Sequence, residues 1–265
     1  MRFRLLFLIC FIGFTLLSCK KQESSSNTQT DLIEKQLRVG LIAYYPFNGN
    51  AYDESGNGYN LTVNDAVLSS NRFGEPSKAF IFNGKNATMV IPKLLKADSL
   101  RQTTISVWVK PQYLRYECIL SFLPRNKICS YFLAFDNNSS TYRTRHSFVD
   151  KNTAYDCSAT LISDNISSPL NTWVHLVLVQ TYSYNNLYPH NSYLQYFNGN
   201  KLQGSSSSSS PIATSFSSGG TIGCNNNSGN TNFNFDFFIG SIDDIRVYDR
   251  ALSDEEIKQL FNLHE

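Results

Sequence analysis

The stretch GSIDDIRVYDRALSDEEIKQLF, Gly240 to Phe261, nearly closes the 265-residue chain and sets two carboxylates, Asp243 and Asp244, side by side in a run of strand-forming residues. Paired carboxylates cleave glycosides when they flank one bond, about 5 Å apart in retaining enzymes and about 6.5–9.5 Å apart in inverting ones. Neighbouring residues of a regular strand point to opposite faces. Alternation therefore groups Asp243 with Ile245 and Val247, and Asp244 with Ile242, Arg246 and Tyr248. Split in this way, the two acids cannot flank one bond. Asp243 is expected part-buried among aliphatic side chains, and a buried carboxylate needs a partner, either backbone amides or a metal. Asp244 is expected at the surface as a partner of Arg246, a contact of small energetic value. The end of the stretch reads as a helix: Ser253 and Glu256 have capping-box spacing, and Ile257, Leu260 and Phe261 share one apolar face.

Upstream, short runs rich in Ile, Val, Phe, Tyr and Thr alternate with Asn, Gly, Ser and Pro, as in Leu41–Phe47, Thr104–Lys110, Trp173–Gln180, Ser192–Phe197 and Phe237–Tyr248. Many short strands with turn signals between them predict an all-β sandwich or barrel. Asn-Gly recurs in PFNGN, IFNGK and YFNGN, and both of its residues tolerate the positive φ that tight hairpins require. With 23 Lys and Arg against 21 Asp and Glu, net charge is near zero, and no basic stripe points to nucleic acid.

Residues 1–18 read as a signal peptide: Arg2 and Arg4 precede an apolar run, Leu5 to Leu17, too short to span a bilayer as a helix. The run ends in Leu-Leu-Ser-Cys, which resembles a bacterial lipobox and implies lipidation of Cys19. A lipid there anchors a protein to a membrane without crossing it. Lys20 after the cysteine resembles the signal for outer-membrane delivery, on the periplasmic or the cell-surface face. Residues 19–37 are polar and Ser-rich, without a hydrophobic period, and predict a flexible tether. Residues 38–265 are enough for one large β domain. Cys118, Cys129, Cys157 and Cys224 remain in it, and an exported chain permits disulfides whose pairing the sequence leaves open.

The order of GLIAYYPFNGNAYDESGNGYNLTV, AFIFNGK, TISVWVKP, NTWVHLVLV, YFNGNKLQG and GSIDDIRVYDRALSDEEI resembles the bacterial laminin-G-like, concanavalin A-like jelly roll over about residues 38–263. The segment from Tyr113 to Pro169 matches that pattern poorly. The resemblance implies two antiparallel sheets packed face to face, an exported protein that binds glycans or proteins, and often a structural calcium. Catalysis is rarely implied, and the Glu-x-Asp-x-x-Glu strand of the glycosidases with this fold is absent. The family's final strand uses the residue at Asp243 as a calcium ligand. Asn48 and Asp53 are the expected partners, the alternative being backbone hydrogen bonds alone.

Binding candidates follow from residue type. Trp108, on the polar side of its strand, is a candidate sugar-stacking platform, with packing under a loop as the alternative. His175 shares a face with Trp173 and reads as a core histidine. TYSYNNLYPHNSY (Thr181–Tyr193) and NNNSGNTNFNF (Asn225–Phe235) are expected loops, where rings stack on sugars and amides bond hydroxyls. Tyr182, Tyr184, Tyr188 and Asn226 are the candidates there. The expected function is glycan recognition by a membrane-anchored lipoprotein, with a protein-binding adhesion module as the alternative and no enzymatic activity.

Overall fold

The computed structural model describes residues 24–97, 100–113, 117–122, 131–138, 141–147, 161–162, 170–185, 188–202, 206–208, 216–224 and 237–264. The chain divides into two compact units, Met1–Gln36 and Leu37–Glu265. Residues read from sequence as a tether form helix α1 (Ser24–Leu37). Its second half, DLIEKQL, contains the strong helix formers Leu, Glu, Lys and Gln, which outweigh the Ser-rich start.

The second unit is a two-sheet antiparallel sandwich, as expected. In chain order its strands are β1 (Leu41–Tyr45), β2 (Thr62–Asn64), β3 (Val67–Ser69), β4 (Ala79–Asn83), β5 (Thr88–Ile91), β6 (Thr103–Pro111), β7 (Glu117–Phe122), β8 (Tyr131–Asn138), β9 (Thr141–Ser147), β10 (Leu161–Ile162), β11 (Val174–Asn185), β12 (Tyr188–Phe197), β13 (Asn200–Lys201), β14 (Ser206–Ser208), β15 (Gly220–Ile222) and β16 (Ile239–Tyr248), followed by helix α2 (Asp254–Asn262). One sheet runs β13-β12-β11-β6-β16-β4-β3, with β1 also on β16 and β14 on β12. The other runs β10-β9-β8-β7-β15-β5-β2. Both sheets therefore mix strands distant in sequence, as a jelly roll requires. The segment from Tyr113 to Pro169, weakest in resemblance, still supplies β7 to β10 of the second sheet.

The main core contains Ile105, Val107 and Val109 of β6, Leu176 and Leu178 of β11, and Met89, Ile91, Leu120, Phe122 and Ile222 of the other sheet. Cys118 and Cys224 are buried, and burial raises the Cys224 pKa. Cys129 and Cys157 lie outside the described residues.

The outer face of the first sheet carries a second buried layer. Trp108 stacks on Phe261 of α2 at 5.5 Å between ring centroids and on His175 at 5.1 Å. Helix α2 starts on the expected capping box of Ser253 and Glu256. It is fastened by Tyr196 Oη, which donates to Asp254 at 2.6 Å, and by Arg250, which grips Glu256 through two nitrogens at 2.8 and 3.0 Å. Burial works to raise the Glu256 pKa, but the hydrogen bonds from Arg250 and Ser253 outweigh it and bring the carboxyl down to about 2. Gly199, at φ 73°, lets the helix approach the β12–β13 turn, because a Cβ there would sit 3.1 Å from Phe261.

His175 is a core histidine, as expected: it is buried, and its Nε2 lies 2.7 Å from Ser106 Oγ. Burial pushes its pKa down to about 3, with Arg72 and Arg246 adding to the shift and Asp244 opposing it. The imidazole is therefore neutral in the folded state, while the unfolded chain protonates it near pH 6.5. Between pH 6.5 and about 3 the unfolded state binds the extra proton, so stability falls as pH falls through that window. His175→Gln is expected to flatten this loss, by at most about 1.4 kcal/mol per pH unit, in denaturant midpoints measured from pH 7 to pH 4. Parallel curves for the two proteins would contradict the assignment.

Candidate functional site

The acid pair does not sit as alternation predicts. Strand β16 pairs with β6 through Asp243 opposite Trp108, then through Arg246 opposite Ser106, so one residue is added on the β16 side. This is a β-bulge, with Asp244 in the left-handed region at φ 47°. Aspartate tolerates that conformation better than most side chains. The extra residue resets the alternation: Ile242, Ile245 and Val247 all enter the main core. Asp243 is therefore not grouped with Ile245 and Val247, and Asp244 is not at the surface; they are 2% and 4% exposed.

Both acids meet Arg72, which arrives from the β3–β4 connection. Its two terminal nitrogens lie 3.3 Å from Asp243 Oδ2 and 3.5 Å from Asp244 Oδ2. Asp244 Oδ1 also accepts from Arg246 Nε at 2.8 Å. Arg72 donates further to the Leu263 carbonyl and lies over the rings of Trp108 and Phe73, at 4.7 and 4.6 Å. Arg246 lies over Tyr44 at 4.2 Å. Asn71 fixes the turn that presents Arg72, its Oδ1 accepting from the Phe73 and Glu75 amides. Two acids on one side, held by two guanidiniums beneath a helix, are placed to lock structure and not to attack a bond.

Trp108 is not a sugar platform. It is 7% exposed, its ring stacked with Phe261 and His175 and contacted by Arg72, so the cover is helix α2 rather than a loop. Tyr182, Tyr184 and Tyr188 lie not in a loop but in the long β11–β12 hairpin, opposite Asn191, Pro189 and Asn185. Positions 182 and 184 belong to one row of the pleat and position 188 to the other. Asn226 lies outside the described residues.

The expected calcium ligands do not form a calcium donor set. Asp53 Oδ1 accepts from the amides of Tyr44 and Ser55, and Oδ2 from the Tyr59 amide and the Ser55 hydroxyl, each at 2.9 Å. Asp243 faces a guanidinium, and the Asn48 carbonyl accepts from Asn50. Calcium needs six to eight oxygens turned toward it, whereas here nitrogen and hydroxyl donors face both carboxylates. Among the described residues, no three His, Cys, Asp or Glu side chains gather to hold a metal ion. Sequence reasoning missed Arg72, which lies 171 positions from Asp243. A local signal of the bulge was present, since the apolar positions 242, 245 and 247 break the period of two.

A family model described as the concanavalin A-like lectin/glucanases superfamily, Laminin_G_3, matches residues 83–258. No curated protein matches the chain. Among solved structures, domain 4 of AbnA, a GH43 extracellular arabinanase from Geobacillus stearothermophilus, in complex with arabinotriose, is 20% identical with a TM-score of 0.59, covering 84% of this chain and 98% of that one. The botulinum neurotoxin serotype D ligand binding domain in complex with N-acetylneuraminic acid is 14% identical with a TM-score of 0.60, covering 86% of this chain and 52% of that one. The binding domain of Paraclostridial Mosquitocidal Protein 1 is 18% identical with a TM-score of 0.58, covering 86% and 53%. The chain thus spans about half the length of these toxin domains, and at such identities the likeness is one of fold. Among the described residues no helix is long and apolar enough to cross a membrane.

Arg72→Met removes the cation but keeps an apolar stem, leaving two buried carboxylates short of a partner. A loss of about 3–5 kcal/mol is expected in denaturant titrations, the scale of breaking a buried pair from one side. A change under about 1 kcal/mol would mean that Arg246 alone satisfies both acids.

Proposed function

Because the chain belongs to the laminin-G-like family of the concanavalin A-like lectin/glucanase superfamily, we propose that it recognises glycans without cleaving them, held to a membrane by a lipid on Cys19. The carrying observation is the fate of the two acids in the final strand. On a scaffold shared by lectins and glucanases, Asp243 and Asp244 are buried and held by Arg72 and Arg246, so they are not placed as a cleaving pair. Neighbours of the same fold hold arabinotriose and N-acetylneuraminic acid, which supports a saccharide as the ligand class. The lipid follows from the order of Arg2 and Arg4, the apolar run and Ser18-Cys19, residues outside the described ones. Outer-membrane delivery, with the domain on the periplasmic or the surface side, follows from Lys20 and completes the reading.

Two measurements test it. Full-length protein applied to a panel of plant, microbial and host glycans is expected to bind a subset, with no reducing ends released on prolonged incubation; release of sugar would make it an enzyme, and a panel without binding would leave the protein-adhesion reading. Cys19→Ala is expected to move the protein from the membrane pellet to the soluble fraction, and an unchanged pellet would exclude the lipid anchor.

A further inference from the structure

The connection between β1 and β2, residues 46–61, has no regular secondary structure, yet it is densely cross-bonded. Asp53 closes its centre with the three backbone amides and one hydroxyl described above. The Asp53 amide donates to Asn60 Oδ1 at 2.9 Å, and Asn57 Nδ2 donates to the Ile42 and Leu41 carbonyls at 2.8 and 3.3 Å. The one proton of Ser55 Oγ is shared between Asp53 Oδ2 and the Ile42 carbonyl, and Tyr45 Oη donates to the Tyr59 carbonyl. Ala51 and Leu61 are pinned in the main core, and the Leu61 amide donates to the Ala51 carbonyl at 3.0 Å. A loop closed on itself in this way is held in one conformation, as compact functional loops are.

Beside buried Ala51, this rigid loop holds Tyr52 out, 62% exposed. Its backbone is fixed, because the Tyr52 amide donates to Asn50 Oδ1 at 2.8 Å and the Glu54 amide to the Tyr44 carbonyl at 2.8 Å. Among the described residues two other aromatic rings are well exposed: Phe73, which is stacked on His264 at 4.8 Å and has Arg72 over it, and Tyr113, which lies outside this cross-bonded loop. Glu54 follows Tyr52 by two residues, Asn60 is tied to the neighbouring Asp53 amide, and both are exposed. With Asn60 Oδ1 accepting from the Asp53 amide, the donor capacity of this side chain lies in its Nδ2.

We propose that Tyr52 is the stacking platform of a saccharide subsite on the β1–β2 loop, with Glu54 accepting from and Asn60 donating to sugar hydroxyls. This rests on the glycan-recognition reading and names its location and ligand class. The ligand is a neutral saccharide. An aromatic face takes the apolar C–H side of a sugar ring, and a carboxylate beside it accepts hydroxyl protons but repels a sugar acid. A pre-ordered backbone at Tyr52 removes the loop's share of the conformational entropy that binding would otherwise cost. The site is distinct from the β11–β12 hairpin and from Trp108.

The test is affinity electrophoresis of the full chain in a non-ionic detergent, through gels containing arabinan, galactan, xylan or pullulan, with polysialic acid as the acidic comparison. The wild type is expected to be retarded by at least one neutral polymer and not by polysialic acid. Tyr52→Ala is expected to weaken that retardation about tenfold, the scale of one aromatic contact, with Tyr52→Phe close to wild type and unchanged melting temperatures for both. Equal retardation of Tyr52→Ala and wild type overturns the subsite while glycan recognition stands. Retardation by polysialic acid alone overturns the neutral-ligand assignment, and no retardation of the wild type in any gel overturns the subsite and the glycan reading together.

Discussion

The guanidinium of Arg72, wedged between Asp243 and Asp244, ties together parts of the fold that no local interaction would join. It links the β3–β4 connection, the bulge of β16 and the carbonyl of Leu263 at the end of α2. A buried ion cluster of this kind adds little net stability over an apolar replacement, because desolvation offsets most of the attraction. Its effect is specificity: two carboxylates side by side in a buried strand are tolerable in one arrangement, the one that supplies cations to both. The bulge creates that requirement and Arg72 with Arg246 meets it.

The same cluster explains why the outer face of the sheet is buried. Arg72 contacts Trp108, Trp108 stacks with His175 and Phe261, and α2 lies across them. The face that strand alternation marks as polar therefore becomes a second core, built from cations and aromatic rings in place of aliphatic side chains. A ring that looks available for sugar in a single strand is thereby closed off, while Tyr52, on a loop with no strand pattern, is left open.

Much of the fold was legible. Alternation in β6 and β11 marks Ile105, Val107, Val109, Leu176 and Leu178 as core, and the Ser253–Glu256 spacing marks the start of α2. The β11–β12 hairpin is longer than its composition predicts. Tyr, Ser and Asn from Thr181 to Tyr193 have the composition of a loop, but the two arms pair in continuous register from Leu176 with Phe197 to Asn185 with Tyr188. Strand pairing supplies backbone hydrogen bonds regardless of side-chain polarity, so composition underestimates strand length where one arm can template the other. In the β1–β2 loop, Asn48 and Asp53 have the residue types of calcium ligands. Its Asp and Asn side chains instead bond backbone amides and carbonyls, as short polar side chains do wherever turns leave such groups unpaired.

By itself the sequence determined an all-β architecture with many short strands, its apolar core and the closing helix. These follow from periodicity, capping and turn chemistry, which act between residues a few positions apart. Only the tertiary structure decided the side on which each acid of the final strand lies, and the partner that each finds. One inserted residue inverts every face assignment across it, and the cation that makes the insertion tolerable comes from 171 positions away. The same holds for Trp108 and Tyr52, since whether a ring is covered or open depends on which distant segment lies over it.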